Sequence, residues 1–167
     1  MDQIRSAGAF EIAGLPLHPL IVHAVVILTP LTVLALLLGT FWPAARGRLG
    51  IVTPLGALVV LILVPVTVQA GAALKEIVGP LPSVERHEAL GRMFLPWAIG
   101  LFVVAAGQWL WYRYWRDDVG KRSPGGARAV TVVIAVLAVL VGVGAMVVLA
   151  LIGDSGARAV WGPVVGG

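Results

Sequence analysis

Four long runs of apolar residues, separated by short polar connections, dominate this sequence of 167 residues. None of the four runs carries a formal charge, and they cover residues 20–42, 51–74, 93–112 and 129–152. About 20 apolar residues are enough for a helix to cross a hydrocarbon core of roughly 30 Å, and each run reaches that length. The pattern therefore predicts an all-α membrane protein, with residues 1–167 forming one domain, an antiparallel bundle of four transmembrane helices.

The composition supports a membrane location and removes several kinds of chemistry. Hydrophobic residues make up 59% of the chain and charged residues 12%, with a mean hydropathy of +0.99, whereas soluble domains carry about 25% charged residues. The absence of cysteine excludes disulfides, thiolate catalysis, iron–sulfur ligation and covalent c-type haem attachment by this chain. The net charge of +4 does not indicate nucleic-acid binding, because no basic patch lies on a soluble segment.

The basic residues predict which side of the membrane each connection faces. The first and third connections hold seven of them, namely Arg46, Arg48, Arg113, Arg116, Lys121, Arg122 and Arg128. The N-terminal arm, the second connection and the tail hold the other five basic residues, Arg5, Lys75, Arg86, Arg92 and Arg158. These three segments also hold six of the eight acidic residues. Because cytoplasmic loops are enriched in Lys and Arg, we expect a plasma-membrane protein with both termini outside the cytoplasm.

An up-and-down bundle would bring every histidine to the same side of the membrane. Two histidines begin the first helix and one begins the third, while the opposite side has none. Polar groups at membrane depth are costly and normally face the bundle interior or a wet cavity. We therefore expect a polar layer near the outer leaflet, formed by His18, His23, Gln69, Glu76, His87, Glu88, Asp154, Ser155 and Arg158.

The spacing of the histidines limits which cofactors this layer could hold. His18 and His23 are five residues apart and point about 140° away from each other on a helix, so ligands must come from different helices. For haem b the natural pair is His23 with His87, and His18 is a further candidate. A divalent metal such as zinc or copper would use the histidines and carboxylates of the layer: His18, His23, His87, Glu76, Glu88 and Asp154. More commonly such groups hold no cofactor, and instead cap helix ends and satisfy backbone groups freed by prolines.

Several motifs together resemble one bacterial membrane family, the domain of unknown function 2231, in particular its actinobacterial-looking members. They are GLPLHPLIVHAVVILTPLTVL at 14–34, the segment at 65–71, ERHEALGRMFLPWAIGLF at 85–102 and GDSGARAVWG at 153–162. The resemblance implies a four-helix membrane domain without an established activity. Some relatives are joined to Rieske-type iron–sulfur domains, which implies a redox partner at the outer face. His18, His23, His87 and the segment 154–161 match the family pattern.

Three functional hypotheses follow from these residues. We found no set of residues typical of a catalytic site, so we favour a non-enzymatic membrane module whose polar layer has a structural or partner-binding role. The alternatives are a membrane redox module that binds haem or a metal, and a small-solute or proton path through the layer that contains Gln69. Besides the lipid bilayer, the candidate partners are a redox protein at the outer face and a second copy of the chain.

The predicted orientation can be tested with a reporter enzyme fused after Gly167. We expect an enzyme that works only outside the cytoplasm to be active in this fusion, because the C-terminus should lie on the outer side. Activity of a cytoplasm-specific reporter at the same position would overturn the orientation.

Overall fold

The computed structural model describes residues 11–12, 15–79 and 81–165, and side chains at 17–79 and 81–161. Two short strands, β1 (Glu11–Ile12) and β2 (Leu15–Pro16), pair antiparallel. The remaining elements are helices: α1 (Leu17–Phe41), α2 (Pro43–Leu49), α3 (Val52–Val78), α4 (Pro82–Leu110), α5 (Arg116–Arg122) and α6 (Pro124–Val165). A π-helical segment, Trp111–Trp115, continues α4 into α5.

Four helices are long and apolar enough to cross a membrane. They are α1, α3, the continuous helix from Pro82 to Arg122, and α6 over Pro124–Trp161. This result confirms the predicted all-α membrane fold with four transmembrane helices. Many large apolar side chains face outward, as lipid contact requires, among them Leu31, Leu34, Ile62, Val103 and Leu140.

The helices extend well beyond the apolar runs, and the connections are mostly helical rather than loops. The PAARGRLG connection forms α2, the RDDVGKR stretch forms α5, and α6 continues through GDSGARAVWG. Pro43, Pro82 and Pro124 each begin a helix, a position where the missing N–H of proline costs nothing. Charged residues do not end a helix that has left the membrane, so hydropathy alone underestimates helix length.

Each long helix packs against two neighbours, in the cyclic order α1, α3, α4, α6. The beginnings of α1 and α4 meet at His18 and His87, and their other ends meet where Gln108 donates to Thr40 Oγ1 over 2.6 Å. These two helices therefore run parallel across the diagonal of the bundle, while α3 and α6 return in the opposite direction. We call the two ends the histidine end and the arginine end, after His18 and Arg46.

The core depends on small residues that let the helices approach closely. Ala57, Ala98, Ala138 and Ala145 are all fully buried, a composition typical of helix packing in membranes. The closest approach is between α4 and α6, where the Trp97 indole lies directly on Gly144 and occupies the space that a Cβ would need. Gly144 is therefore fixed by packing and not by a need for unusual backbone angles.

Replacing Gly144 with alanine should destabilise the bundle, because the methyl group would overlap the Trp97 ring. Overpacking of this kind costs about 1–3 kcal/mol. Gly107 is the matched control, since nothing lies within 4 Å of its Cβ position; Gly107→Ala should be neutral or raise stability by up to about 1 kcal/mol. Thermal unfolding in detergent, followed by circular dichroism, measures both variants, and equal effects would contradict the packing role.

Candidate functional site

All three histidines line a single cavity at the histidine end of the bundle. Its volume is about 630 Å³, and all four long helices contribute to its walls. Most wall residues are apolar, including Val22, Val64, Phe94, Leu149 and Ile152. The polar groups on the wall include His18, His23, Thr67, Lys75, His87 and Glu88. The up-and-down arrangement thus brings the predicted histidines to one place between the helices.

The two imidazole rings that meet are those of His18 on α1 and His87 on α4. Their centres are 6.1 Å apart and their planes are nearly perpendicular, at 87°. Both side chains are half-buried. They belong to helices on the diagonal of the bundle, so the two rings bridge its centre rather than one of its edges.

Hydrogen bonds fix which nitrogen of each ring carries the proton. His18 Nδ1 lies 2.9 Å from the Thr67 carbonyl oxygen, which can only accept, so Nδ1 must donate. His87 Nδ1 lies 3.0 Å from Ser155 Oγ, and Ser155 donates its own proton to the Ile152 carbonyl. Ser155 Oγ therefore accepts from His87 Nδ1. In the neutral form of each ring, Nε2 then keeps its lone pair and is the nitrogen that could bind a ligand.

Two glycines on the returning helices make room for these rings. A Cβ on Gly71 of α3 would lie 2.9 Å from His18 Cε1, and a Cβ on Gly156 of α6 would lie 3.1 Å from His87 Cε1. In each case the Cε1–Nδ1 edge of the imidazole faces the glycine. The absence of a side chain at 71 and 156 is therefore what lets each ring reach its hydrogen-bond acceptor.

The same local arrangement occurs in both halves of the chain. In the first hairpin a histidine at the start of α1 packs on a Gly-Ala step of α3, residues 71–72. In the second hairpin a histidine near the start of α4 packs on a Gly-Ala step of α6, residues 156–157. Each hairpin thus presents one imidazole to the centre of the bundle, although the acceptors differ: a backbone carbonyl for His18 and a serine hydroxyl for His87.

His23 occupies a different position from the one the sequence favoured. Its Nδ1 donates to the Pro19 carbonyl of its own helix over 2.6 Å, and the side chain is exposed while still lining the cavity. The partner that meets His87 is His18, not His23. The five-residue spacing turns the two histidines to different faces of α1, so only one of them can meet His87, and the rotation of α1 about its axis makes that one His18.

The carboxylates of the predicted polar layer pair with basic side chains. Glu88 binds Lys75 at 2.9 Å and Arg92 at 2.7 Å, and Asp154 binds Arg158 at 2.9 Å along the same helix. Glu76 and Gln69 are exposed on α3, and neither lines the cavity. Among the residues that the structure describes, no group of three or more histidine or acidic side chains could hold a metal ion.

Some residues of the site were not identified from the sequence. Thr67 contributes its backbone carbonyl, which no side-chain pattern reveals. Gly71 and Gly156 contribute space, because they have no side chain that would collide with the imidazoles. Gly-Ala steps occur at six places in the sequence, so the two at 71–72 and 156–157 gave no specific signal. Gln108 was also missed, although it is a single buried amide in an apolar helix and binds Thr40.

The model of a family described as predicted membrane protein (DUF2231) matches residues 14–167. The chain belongs to this family. The DUF2231 match begins four residues before His18 and covers all four long helices, which confirms the resemblance read from the motifs. No curated protein and no solved structure matches the chain.

The seating of the imidazoles on glycine can be tested by adding one methyl group. Gly156→Ala should push His87 away from Ser155 and weaken their hydrogen bond, at a cost of about 1 kcal/mol. Gly153→Ala is the matched control, one turn earlier on α6, where nothing lies within 4 Å of the Cβ position. Thermal unfolding in detergent should show a lower midpoint for Gly156→Ala alone, and a loss of the same size in Gly153→Ala would contradict the role of Gly156.

Proposed function

We propose that this protein is a non-enzymatic membrane module that binds one haem b between His18 and His87 and transfers electrons at the histidine end. The observation that carries the proposal is the pair of perpendicular imidazoles, with ring centres 6.1 Å apart. Two bonds of about 2.0 Å from a metal to imidazole nitrogens put those nitrogens about 4 Å apart and the ring centres about 6 Å apart. The separation of the two rings therefore suits one metal atom between them.

The number of ligands favours haem over a bare metal ion. A zinc or copper ion in a protein usually takes three or four protein ligands, whereas haem brings four nitrogens and needs only two axial ligands. His18 and His87 are two, one from each hairpin. The carboxylates that could have completed a metal site, Glu88 and Asp154, are engaged by Lys75, Arg92 and Arg158.

The hydrogen bonds of the two histidines are those expected of axial ligands. Metal-bound histidines usually donate their other ring N–H to a carbonyl or a similar acceptor, which orients the ring and raises the basicity of the ligating nitrogen. His18 donates to Thr67 O and His87 to Ser155 Oγ. Both Nε2 atoms are thereby left free to ligate.

The cavity supplies the remaining requirements of a haem site. Its volume of about 630 Å³ lies in the range of roughly 300–1,000 Å³ typical of cofactor sites, and its apolar walls would keep water from the ring faces. When bound, haem supplies a one-electron couple whose potential depends on its axial ligands and burial.

The histidine end would face the outside of the plasma membrane. The count of seven basic residues at one end against five at the other supports this orientation. A haem near that surface would exchange electrons with a redox protein docked at the outer face. The partner would then approach at the ends of α3 and α6 and the beginnings of α1 and α4.

A second candidate is that the histidines only lock the bundle. The bonds from His18 to Thr67 on α3 and from His87 to Ser155 on α6 each join two helices. Hydrogen bonds between helices stabilise membrane bundles without any cofactor. In this case, the polar layer would serve only to hold the four helices together.

The haem proposal predicts a coloured protein when the chain is made in cells supplied with a haem precursor and purified in mild detergent. The expected spectrum has a Soret band and low-spin features from two imidazole ligands, and the ferric form should give the highly anisotropic electron paramagnetic resonance signal of perpendicular ligand planes. His18→Ala and His87→Ala should each lose this low-spin spectrum. His23→Ala is the matched control and should keep it, because His23 binds its own helix.

A rescue experiment separates ligation from folding. In His87→Gly, added imidazole should restore the low-spin spectrum by occupying the vacated ligand position, which a purely structural role would not produce. A colourless preparation that binds no added haem, and in which His18→Ala and His87→Ala only lower thermal stability, would overturn the haem proposal and support the structural lock.

A further inference from the structure

A second cavity lies at the arginine end, and its wall is strongly basic. It has a volume of about 340 Å³ and lies between the end of α1, helix α2, the start of α3 and the end of α4. The charged residues on its wall are Arg46, Arg113, Arg116 and Asp117. Three guanidinium groups and one carboxylate leave this wall with an excess of two positive charges. We call this cavity the arginine pocket.

Arg46 is held rigidly on the wall of the arginine pocket. Its Nε donates to the Gly39 carbonyl over 2.6 Å, and its Nη2 donates to the Thr40 carbonyl over 2.9 Å. Both carbonyls belong to the last turn of α1, where a cation is favourable. The guanidinium also stacks on Tyr112, with Cζ 3.5 Å from the ring centre. A guanidinium has five N–H donors, so Arg46 retains donors beyond these two bonds.

Arg116 lies on the same aromatic ring and adds a second positive charge. Its Cζ is 5.8 Å from the Tyr112 ring centre, and its Nη1 is 3.6 Å from the largely exposed Asp117 carboxylate. Burial lowers the pKa of Arg46, and the nearby charge of Arg116 lowers it further, against the opposing effect of Tyr112. Two guanidinium groups thus lie against one tyrosine ring, and one carboxylate, Asp117, is paired with Arg116.

Aromatic residues surround the arginine pocket. Trp109 and Tyr112 line it, and Tyr114 and Trp115 lie next to it on exposed surface. Tryptophan and tyrosine gather at the interface between hydrocarbon and water. The mouth of the arginine pocket is therefore within reach of the phosphate groups of the adjacent leaflet.

We propose that the arginine pocket binds the phosphate group of an anionic phospholipid. Arginine forms paired hydrogen bonds with phosphate oxygens, and basic pockets between transmembrane helices bind anionic headgroups. Arg46, fixed by α1 and Tyr112, and Arg116, on the rim, would hold the phosphate from two sides. The acyl chains would then lie along the exposed apolar surface of the bundle. This proposal is independent of the haem proposal, which concerns the opposite end.

The test is lipid retention by the full chain in detergent, measured by native mass spectrometry during titration with phosphatidylglycerol and, separately, phosphatidylcholine. We expect phosphatidylglycerol to bind preferentially, and Arg116→Gln to weaken that binding about tenfold, the ratio that corresponds to one lost hydrogen bond to a charged group. Arg48→Gln is the matched control: it removes the same charge from α2 at an exposed position outside the pocket wall.

These measurements distinguish a specific phosphate site from non-specific electrostatic attraction between the basic surface and anionic lipids. Equal losses in Arg116→Gln and Arg48→Gln, or equal binding of both lipids, would overturn the proposal. A titration with inorganic phosphate distinguishes the source of the ligand, because binding as tight as that of phosphatidylglycerol would assign the pocket to free phosphate instead of lipid. Arg116→Gln is preferred to a change at Arg46, since Arg46 also caps α1.

Discussion

The structure depends on one constraint, namely that a polar group inside the hydrocarbon is costly unless it finds a partner within the protein; among the described buried side chains, only the Thr29 hydroxyl has none. The apolar helices leave few such groups, and the structure gathers most of them at the two ends. At the histidine end the imidazoles of His18 and His87 bond to α3 and α6. At the arginine end Arg46 bonds to the open carbonyls of α1. Each pairing satisfies a polar group and joins segments of the fold.

The two ends meet this constraint in different ways. Glycine makes the histidine end possible, because Gly71 and Gly156 let flat rings pack against helix backbones. The arginine end uses an aromatic surface, with Arg46 stacked on Tyr112. One end thus presents neutral nitrogen lone pairs in an apolar cavity, and the other presents crowded positive charge. The chemistry of the two ends differs accordingly, with imidazole nitrogens at one end and guanidinium N–H donors at the other.

Hydropathy was sufficient to predict the four helices. The up-and-down order of those helices was sufficient to predict that all three histidines lie at the same end of the bundle. They were not sufficient to predict that His18, and not His23, meets His87. That choice depends on how α1 is rotated about its axis, and the rotation follows from contacts with α3 that only the folded structure contains. The segments of α2 and α5 were likewise predicted to be loops, and the length of α6 was underestimated, because helices that leave the membrane continue through charged residues.

The division of the imidazoles between two hairpins has a thermodynamic consequence. Neither hairpin holds both imidazoles, so any group bound by both rings would bind only when α1–α3 and α4–α6 are docked together. Such a group would act as a cross-link across the diagonal of the bundle, adding about 2.7 kcal/mol to its stability at a free concentration one hundred times its dissociation constant. Cofactor supply would then set how much of the chain persists in the membrane as an assembled bundle.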